Sequence, residues 1–519
     1  MDGKTETSQT AKPKVELSAE EKRERLRRLL ERQAEEASRT FPLSHGQQAL
    51  WFLYQIAPDS SAYHCVALTK TTAVDPDAFA QALQHLTDRH AVLRTTYTTE
   101  DGIPVQTVQE PHVAQLQRID AADWTQDQID QKVEELRVQP FDLEAGPVYR
   151  LCLFSLPDGT FQTLFVIHHI AYDGVSSQVL PADLAQLYEA VRAESPLPPP
   201  VTERQYRDFV EWQHKLVEGA EGERQLEFWR QQIGHEPPVL ELPTDRPRAA
   251  TQSYSGDAVS LNFSVDLARD LRTLARQENV TLFVILLAGF QSMLHRYSGQ
   301  QQVLVGTVTS GRTSREFESV LGYFVNPVAL RADFDEELSF RQLIHQVRKT
   351  VVEGIAHQDY PFPVLVEKLH PKRDTSRNPV FQAMIDYVSR ERVSTGEAAG
   401  SPQESTDANE EMRLRVDLGD LAGESVELPQ QEGQVDVQLD VRVIGEKIYG
   451  NFKFDSDLFD RESATRMEES LRTLLAGAAA EPDHPITKLP VLGDSQRELL
   501  VGEWNQTEAE FPKMSPSRL

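Results

Sequence analysis

Two adjacent histidines, His168 and His169, close an apolar run and are followed after three residues by Asp173 and Gly174. An imidazole is the side chain best suited to hold or move a proton near neutral pH. A carboxylate at this spacing can orient an imidazole, as in a triad, or pair with an arginine, and the spacing leaves both open. Gly174 lets another backbone or a ligand approach closely. Adjacent residues of an extended segment point to opposite sides, so only one histidine of the pair can face a given cavity. That argues against a metal site made from the pair, and no further Cys/His cluster in the sequence supports one. No Gly-x-Ser-x-Gly elbow and no P-loop occurs, which removes covalent hydrolases and nucleotide hydrolases. Taken alone, a histidine pair is more often a satisfied part of a core than a reacting group. The rest of the chain has to decide.

Leu164 to Ile167 is continuous, bulky and partly β-branched, which predicts a strand buried on both faces and ending in the histidines. Pro181 to Glu194 predicts the helix that follows. Around them, Cys65 to Ala73, Val105 to Val108 and Tyr149 to Phe154 read as strands, and Asp75 to His90 and Asp127 to Val138 as helices. Strands mixed with helices, without regular βαβ alternation, indicate a mixed sheet flanked by helices. Pro196 to Val201 is a stiff proline linker. Beyond it come helices Tyr206 to Leu216 and Gly222 to Ile233, then a second set of similar elements. These are a strand Val259 to Phe263, a helix Asp266 to Glu278, a buried helix from Thr281 and a strand Gln302 to Thr309 running to Arg312. Val435 to Val443 alternates strictly and pairs through Gly445-Glu446 with Ile448 to Phe454, a hairpin signal. Arg461 to Leu475 closes as an amphipathic helix.

The expected organisation is therefore a polar segment with a helix over 1–40, a candidate docking element, then a first lobe over 41–200 and a second over 201–490. Within the second lobe 391–434 reads as a mobile acidic insertion, and 491–519 as a linker. At 519 residues the chain exceeds one compact core. A net charge of −28 opposes nucleic acid or an anionic membrane as partner. Two cysteines, Cys65 and Cys152, are too few for a disulfide framework, and the polar N-terminus carries no secretory signal. The longest apolar run, Thr281 to Leu294, is too short to span a bilayer. A soluble protein in a reduced, cytoplasmic setting is expected.

His168-His169-Ile-Ala-Tyr-Asp173-Gly174 resembles the His-His-x-x-x-Asp-Gly motif of chloramphenicol-acetyltransferase-like acyltransferases. Six further segments, in order, resemble those of the condensation domains of nonribosomal peptide synthetases. They begin at Ser44 (to Trp51), Arg89 (to Thr95), Tyr206 (to Trp212), Leu321 (to Pro327), His357 (to Phe362) and Arg373 (to Pro379). The resemblance covers residues 41 to 490 and implies an α/β (α+β) fold of two such lobes, a V-shaped pseudo-dimer with a central tunnel. It implies that 4′-phosphopantetheine arms of two partner carrier proteins enter the tunnel, one with an acyl or peptidyl donor and one with an aminoacyl acceptor. No cofactor or metal bound by the domain itself is implied.

By the same resemblance His169 faces the tunnel, while His168 and Asp173 support it, Asp173 in an ion pair with Arg312 of the other lobe. The Gly174 N–H becomes a donor to the developing oxyanion. Ser177, Tyr323 and Asn326 are candidates for lining the tunnel or bridging the lobes, Ser177 more as a helix cap. Arg89 and Arg94 are expected in the scaffold, and Asp359 to Phe362 as a packed turn. An α-amine has a pKa near 7.7–8.0, so freeing it at pH 7 costs only ~1 kcal/mol. Orientation of two tethered substrates is worth up to ~7–11 kcal/mol. His169 is therefore expected mainly to position the amine and to accept a proton as the intermediate forms.

Departures from the family pattern carry information too. Gly46 and Ala49 stand where the opening motif usually has alanine and arginine, a pattern associated with donors that are not aminoacyl groups. Heterocyclising relatives have aspartate for the histidines, which opposes cyclisation here. Trp504 to Thr507, with Phe511-Pro512, resembles the linker into an adenylation domain, so that domain and the acceptor carrier are expected in cis. Met1 suggests a natural start, with the donor carrier in trans; the basic run Arg23 to Arg28 is a candidate docking patch. A free-standing acyltransferase using soluble acyl-CoA and a non-catalytic carrier-recruiting module are the competing readings. The intact histidines oppose the second of these, and the Trp504 segment the first.

Overall fold

The structure, a computed structural model, describes residues 39–505 except 235, 253–254, 370–373, 391–412, 417–420, 422, 427–434 and 504. The predicted N-terminal helix, the Arg23 to Arg28 run, Arg373 and most of the Trp504 to Pro512 linker lie outside the described residues.

The first half of the chain runs β1 (Thr40–Pro42), α1 (His45–Ile56), β2 (His64–Thr71), α2 (Pro76–Arg89), β3 (Thr95–Glu100), β4 (Ile103–Val108) and β5 (Leu116–Asp120). It continues α3 (Gln126–Val138), β6 (Tyr149–Ser155), β7 (Phe161–His168) and α4 (Ser176–Arg192). The second half runs α5 (Tyr206–Glu218), α6 (Ala220–Ile233), β8 (Gly256–Asn262), α7 (Val265–Gln277), α8 (Leu282–Ser298), β9 (Gln302–Thr309) and β10 (Asn326–Asp333). After them come α9 (Phe340–Ala356), α10 (Phe362–Leu369), β11 (Ala383–Arg390), β12 (Arg413–Val416), β13 (Gly423–Val426), β14 (Val437–Ile444), β15 (Lys447–Asp455) and α11 (Arg461–Ala480).

Two six-stranded sheets organise these elements, in the orders β12-β13-β2-β7-β6-β5 and β10-β9-β11-β14-β15-β8, beside a small β1-β4-β3 sheet. β7, which carries the histidines, lies inside the first sheet between antiparallel β2 and β6. Phe165 is only half-buried, so burial on both faces begins at Val166 rather than at Leu164. In the second lobe α8 is largely apolar and buried from Val284 to Leu294; the Gln291 Nε2 donates to the Leu330 carbonyl at 3.0 Å, while its buried Oε1 has no partner among the described residues. No single helix among the described residues is long and apolar enough to cross a membrane.

The composition of 391–434 points to a mobile insertion of the second lobe; its described residues include β12 and β13, and β13 pairs antiparallel with β2 from Gly423↔Thr71 to Val426↔Leu68. A division at residue 200 therefore does not separate the sheets. An added edge strand needs only its backbone N–H and C=O groups, so an acidic composition does not exclude one. Gly423 is required by the closeness of that pairing, since a Cβ there would lie 2.2 Å from the Lys70 carbonyl oxygen.

Each lobe has its own apolar core. A third, smaller cluster joins Phe41, Tyr206, Phe209, Val210, Phe317, Val320 and Phe324. Leu321, from the same loop, is buried in the first lobe's core. The loop between β9 and β10 thus crosses to the first lobe, and it does so beside the histidines.

Candidate active site

The ladder between β2 and β7 continues one residue past the strand. The His168 N–H donates to the Val148 carbonyl at 2.9 Å and the His169 N–H to the Tyr63 carbonyl at 2.8 Å. A single 3-10 turn, His169–Ala171, follows. Alternation then throws the two rings to opposite sides.

His168 is buried among the rings of Tyr54, His64 and Phe141, and its Nδ1 accepts the Ile170 N–H at 3.1 Å. Burial, with His64 and His169 alongside, lowers its pKa to about 3, so the ring is neutral at physiological pH. His169 has its Nδ1 2.5 Å from the Tyr172 carbonyl oxygen, which makes Nδ1 the donor and Nε2 the acceptor in the neutral tautomer. Its ring meets the Tyr323 ring edge-on, with centroids 5.1 Å apart and planes at 84°. The β2–β7 register puts Cys65 on the same sheet face. Burial acts to lower the His169 pKa, but the Cys65 sulfur, the Tyr172 carbonyl and the Asp173 carboxylate outweigh it and raise it to about 9.

Asp173 points away from His169 into a knot between the lobes. One carboxylate oxygen accepts the Ser176 N–H at 2.8 Å, capping α4. The other accepts the Phe324 N–H at 3.1 Å and pairs with the Arg312 guanidinium. Arg312 also donates to the Val320 carbonyl at 2.8 Å and the Ser176 hydroxyl at 3.3 Å, and stacks over the Phe324 ring at 3.9 Å. The Asp173 and Arg312 side chains are 1% and 3% exposed, so this ion pair is fully desolvated and depends on those added bonds. The cap also explains why α4 starts at Ser176 rather than at Pro181, which lies inside the helix.

The remaining candidates are spread more widely. Gly174 is exposed, a Cβ there would meet nothing within 4 Å, and its N–H makes no hydrogen bond among the described residues. Ser177 turns its hydroxyl back to the Gly174 carbonyl at 2.6 Å, on the first turn of α4. Asn326 does not reach the site. Its amide donates to the Gln358 and Tyr360 carbonyls at 2.8 Å and accepts the Phe362 N–H at 2.8 Å, holding the turn into α10. Arg89 pairs with Asp183 and the Pro198 carbonyl, and Arg94 bonds the Thr87 carbonyl at 3.0 Å, so both brace the scaffold. A cavity of about 320 Å³ lies against α4, lined by Arg89, Gln178, Val179 and Glu318 among others. Neither His169 nor Gly174 lines it.

Two supports escape a reading of the sequence. Gln47, fully buried, donates to the Ile170 carbonyl at 3.0 Å and so steadies the turn behind His169. Its role as N3 partner of the Ser44 capping box is readable as Ser-x-x-Gln, but its long-range bond is not. The Tyr206 hydroxyl sits 2.8 Å from the Ser44 hydroxyl and donates to the Tyr323 carbonyl at 2.5 Å, clamping the crossing loop. Among the described residues no cluster of three or more His, Cys, Asp or Glu is placed to hold a metal ion.

A family model for the condensation domain matches residues 37–501. The chain belongs to the condensation-domain family. The domain is 33% identical over 475 residues to tyrocidine synthase 3 of Brevibacillus parabrevis, covering 91% of this chain and 7% of that protein. It is 31% identical over 477 residues to the chondramide synthase of Chondromyces crocatus, covering 91% and 12%. The chain thus spans only a small fraction of the length of these relatives. A solved four-domain nonribosomal peptide synthetase, in its holo form with AMP and glycine, matches with a TM-score of 0.74 and 26% identity, over 88% of this chain and 34% of that one. The X-domain from teicoplanin biosynthesis matches with a TM-score of 0.74 and 24% identity, over 87% and 97%. The lobes of this condensation domain have the chloramphenicol-acetyltransferase-like fold expected from the sequence.

Proposed function

We propose that this chain joins an acyl or peptidyl thioester on one carrier protein to the α-amine of an aminoacyl group on another, in nonribosomal peptide synthesis. In this reading the amine nitrogen attacks the donor carbonyl, a C–N bond forms, and the C–S bond to the donor's pantetheine breaks. The proton lost by the amine ends on the leaving thiol. The observation that carries the reading is an accepting ring nitrogen and an unbonded N–H at the strand end. The Nδ1 bond to Tyr172 leaves His169 Nε2 as the acceptor in the neutral tautomer, with the Cys65 sulfur beside the ring, and the Gly174 N–H, close by in sequence, has no partner among the described residues.

His169 then holds the incoming amine and takes its proton as the tetrahedral intermediate forms, while Gly174 N–H donates to the oxyanion. Asp173 and Arg312 act by holding α4 and the crossing loop in place, and His168 by filling the core behind. The acceptor carrier and an adenylation domain stand in cis, and the setting is cytoplasmic.

The test offers the chain acyl-loaded and aminoacyl-loaded carriers and follows amide on the acceptor by mass spectrometry. Amide that requires both carriers supports the proposal. Acyl transfer to free amine with no carrier present would favour a soluble acyltransferase, and carrier binding without turnover a recruiting module.

A further inference from the structure

Gly46 and Tyr323 lie against each other beside His169. A methyl group on Gly46 would sit 2.8 Å from Tyr323 Cε1 and 3.1 Å from Cδ1, well inside the ~3.5–4.0 Å at which carbons pack. The glycine is the space that the aromatic ring occupies. That ring in turn touches His169 edge-on.

The backbone that carries Tyr323 is pinned on both sides. Its own carbonyl accepts from the Tyr206 hydroxyl, the Phe324 N–H is held by Asp173, and the Gly322 N–H and carbonyl both bond the Ser176 hydroxyl at 3.3 and 3.2 Å. Gly322 lies under the Tyr206 ring, where a Cβ would come within 2.0 Å of Cδ2. Only the Tyr323 side chain can yield.

A reacting amine within hydrogen-bond reach of Nε2 has its target carbonyl about 3–3.5 Å further on. Substituents on the carbon next to that carbonyl then fall beside the His169 ring, where Tyr323 is the wall. We propose that Gly46 and Tyr323 together set the width of the site at His169, and that Tyr323 limits the size of the group carried by the carbon next to the reacting carbonyl or the reacting amine. This rests on the amide-forming reading above.

The test uses the full chain with two substrate pairs on carriers: butyryl against 2-methylbutyryl donors, and glycyl against valyl acceptors. One methyl group in an apolar pocket changes kcat/KM by about 10–200-fold. Tyr323→Leu is expected to lower the ratio of unbranched to branched kcat/KM at least about tenfold for one of the two pairs. Tyr323→Phe, which keeps the ring, should keep the wild-type ratio. Gly46→Ala, a change that helix propensity favours, should lower kcat/KM at least about tenfold beside tyrosine and be neutral beside Tyr323→Leu. Unchanged ratios for both pairs, or a Gly46→Ala loss of equal size in both backgrounds, would overturn the proposal. Wild type inactive with every loaded pair would overturn both this and the amide-forming reading; active wild type with unaltered ratios would overturn this one alone.

Discussion

Replacing Arg312 by methionine keeps most of the side chain's length and removes the charge beside Asp173. The carboxylate would retain the Ser176 and Phe324 N–H groups but lose its counter-ion in a place where it is 1% exposed. Breaking a buried pair from one side costs about 3–5 kcal/mol. The lost bonds to the Val320 carbonyl and Ser176 hydroxyl, and the stacking over Phe324, act on the same loop and overlap with that figure rather than adding to it. A cost of about 4 kcal/mol is therefore expected, a large share of the 5–15 kcal/mol typical of a whole domain. Urea unfolding measures it, with a probe near the crossing loop because a chain with several cores need not unfold in one step. Adding Asp173→Asn removes the stranded charge, and the double variant should regain about 2 kcal/mol. A single-variant cost under about 1 kcal/mol, the range of exposed pairs, would refute the view that this knot is desolvated and joins the lobes.

Three further outcomes are expected. His168, with a pKa of about 3 against about 6.5 unfolded, binds its proton only in the unfolded chain between those values. Its contribution, on the order of 5 kcal/mol, is thus complete above pH 6.5 and is lost as pH falls toward 3. His168→Gln should flatten urea midpoints measured from pH 7 down to pH 4.5, and an unaltered slope would count against a buried neutral ring. Gly174→Ala meets nothing in the free protein, so melting should be unchanged while a methyl intrudes where the thioester approaches. A loss of about tenfold or more in kcat/KM is expected, and full activity would remove Gly174 from the site. With the His169 pKa raised to about 9, kcat/KM should climb from pH 7 and level off near 9, once the acceptor amine's own titration at 7.7–8.0 is divided out. A flat profile would deny Nε2 its proton.

What the chain discloses in advance follows the range of the forces involved. The strand Gln302–Thr309 coincides with its expected bounds, and the helix Pro76–Arg89 lies within one residue of them. Both are bounded by local signals, the first by Ser310-Gly311 and the second by the Asp75 cap with proline behind it. The helix after the histidines misleads for the opposite reason. Pro181 looks like a first helical residue, but the Asp173 carboxylate already caps the chain five residues earlier. β12 and β13 are illegible in composition because edge pairing uses the backbone alone.

In the site, the histidines and Asp173 are close in sequence and can be read together. Arg312, Gln47, Tyr206 and the Gly46–Tyr323 contact act across the fold. Of these Arg312 and Tyr323 are expected, and only through resemblance; the contact of Tyr323 with Gly46 is not. Asn326 shows the converse, a motif residue whose bonds all serve its own lobe.

The account turns on His169, whose removal can be measured directly. With both carriers loaded, the initial rate of amide formation on the acceptor is followed for wild type and His169→Ala, beside a melting curve for each. A ring that positions the amine and accepts its proton contributes about 10²–10⁴-fold, so a loss of that size at unchanged stability is predicted. Near-wild-type amide formation by a folded His169→Ala variant would contradict the account.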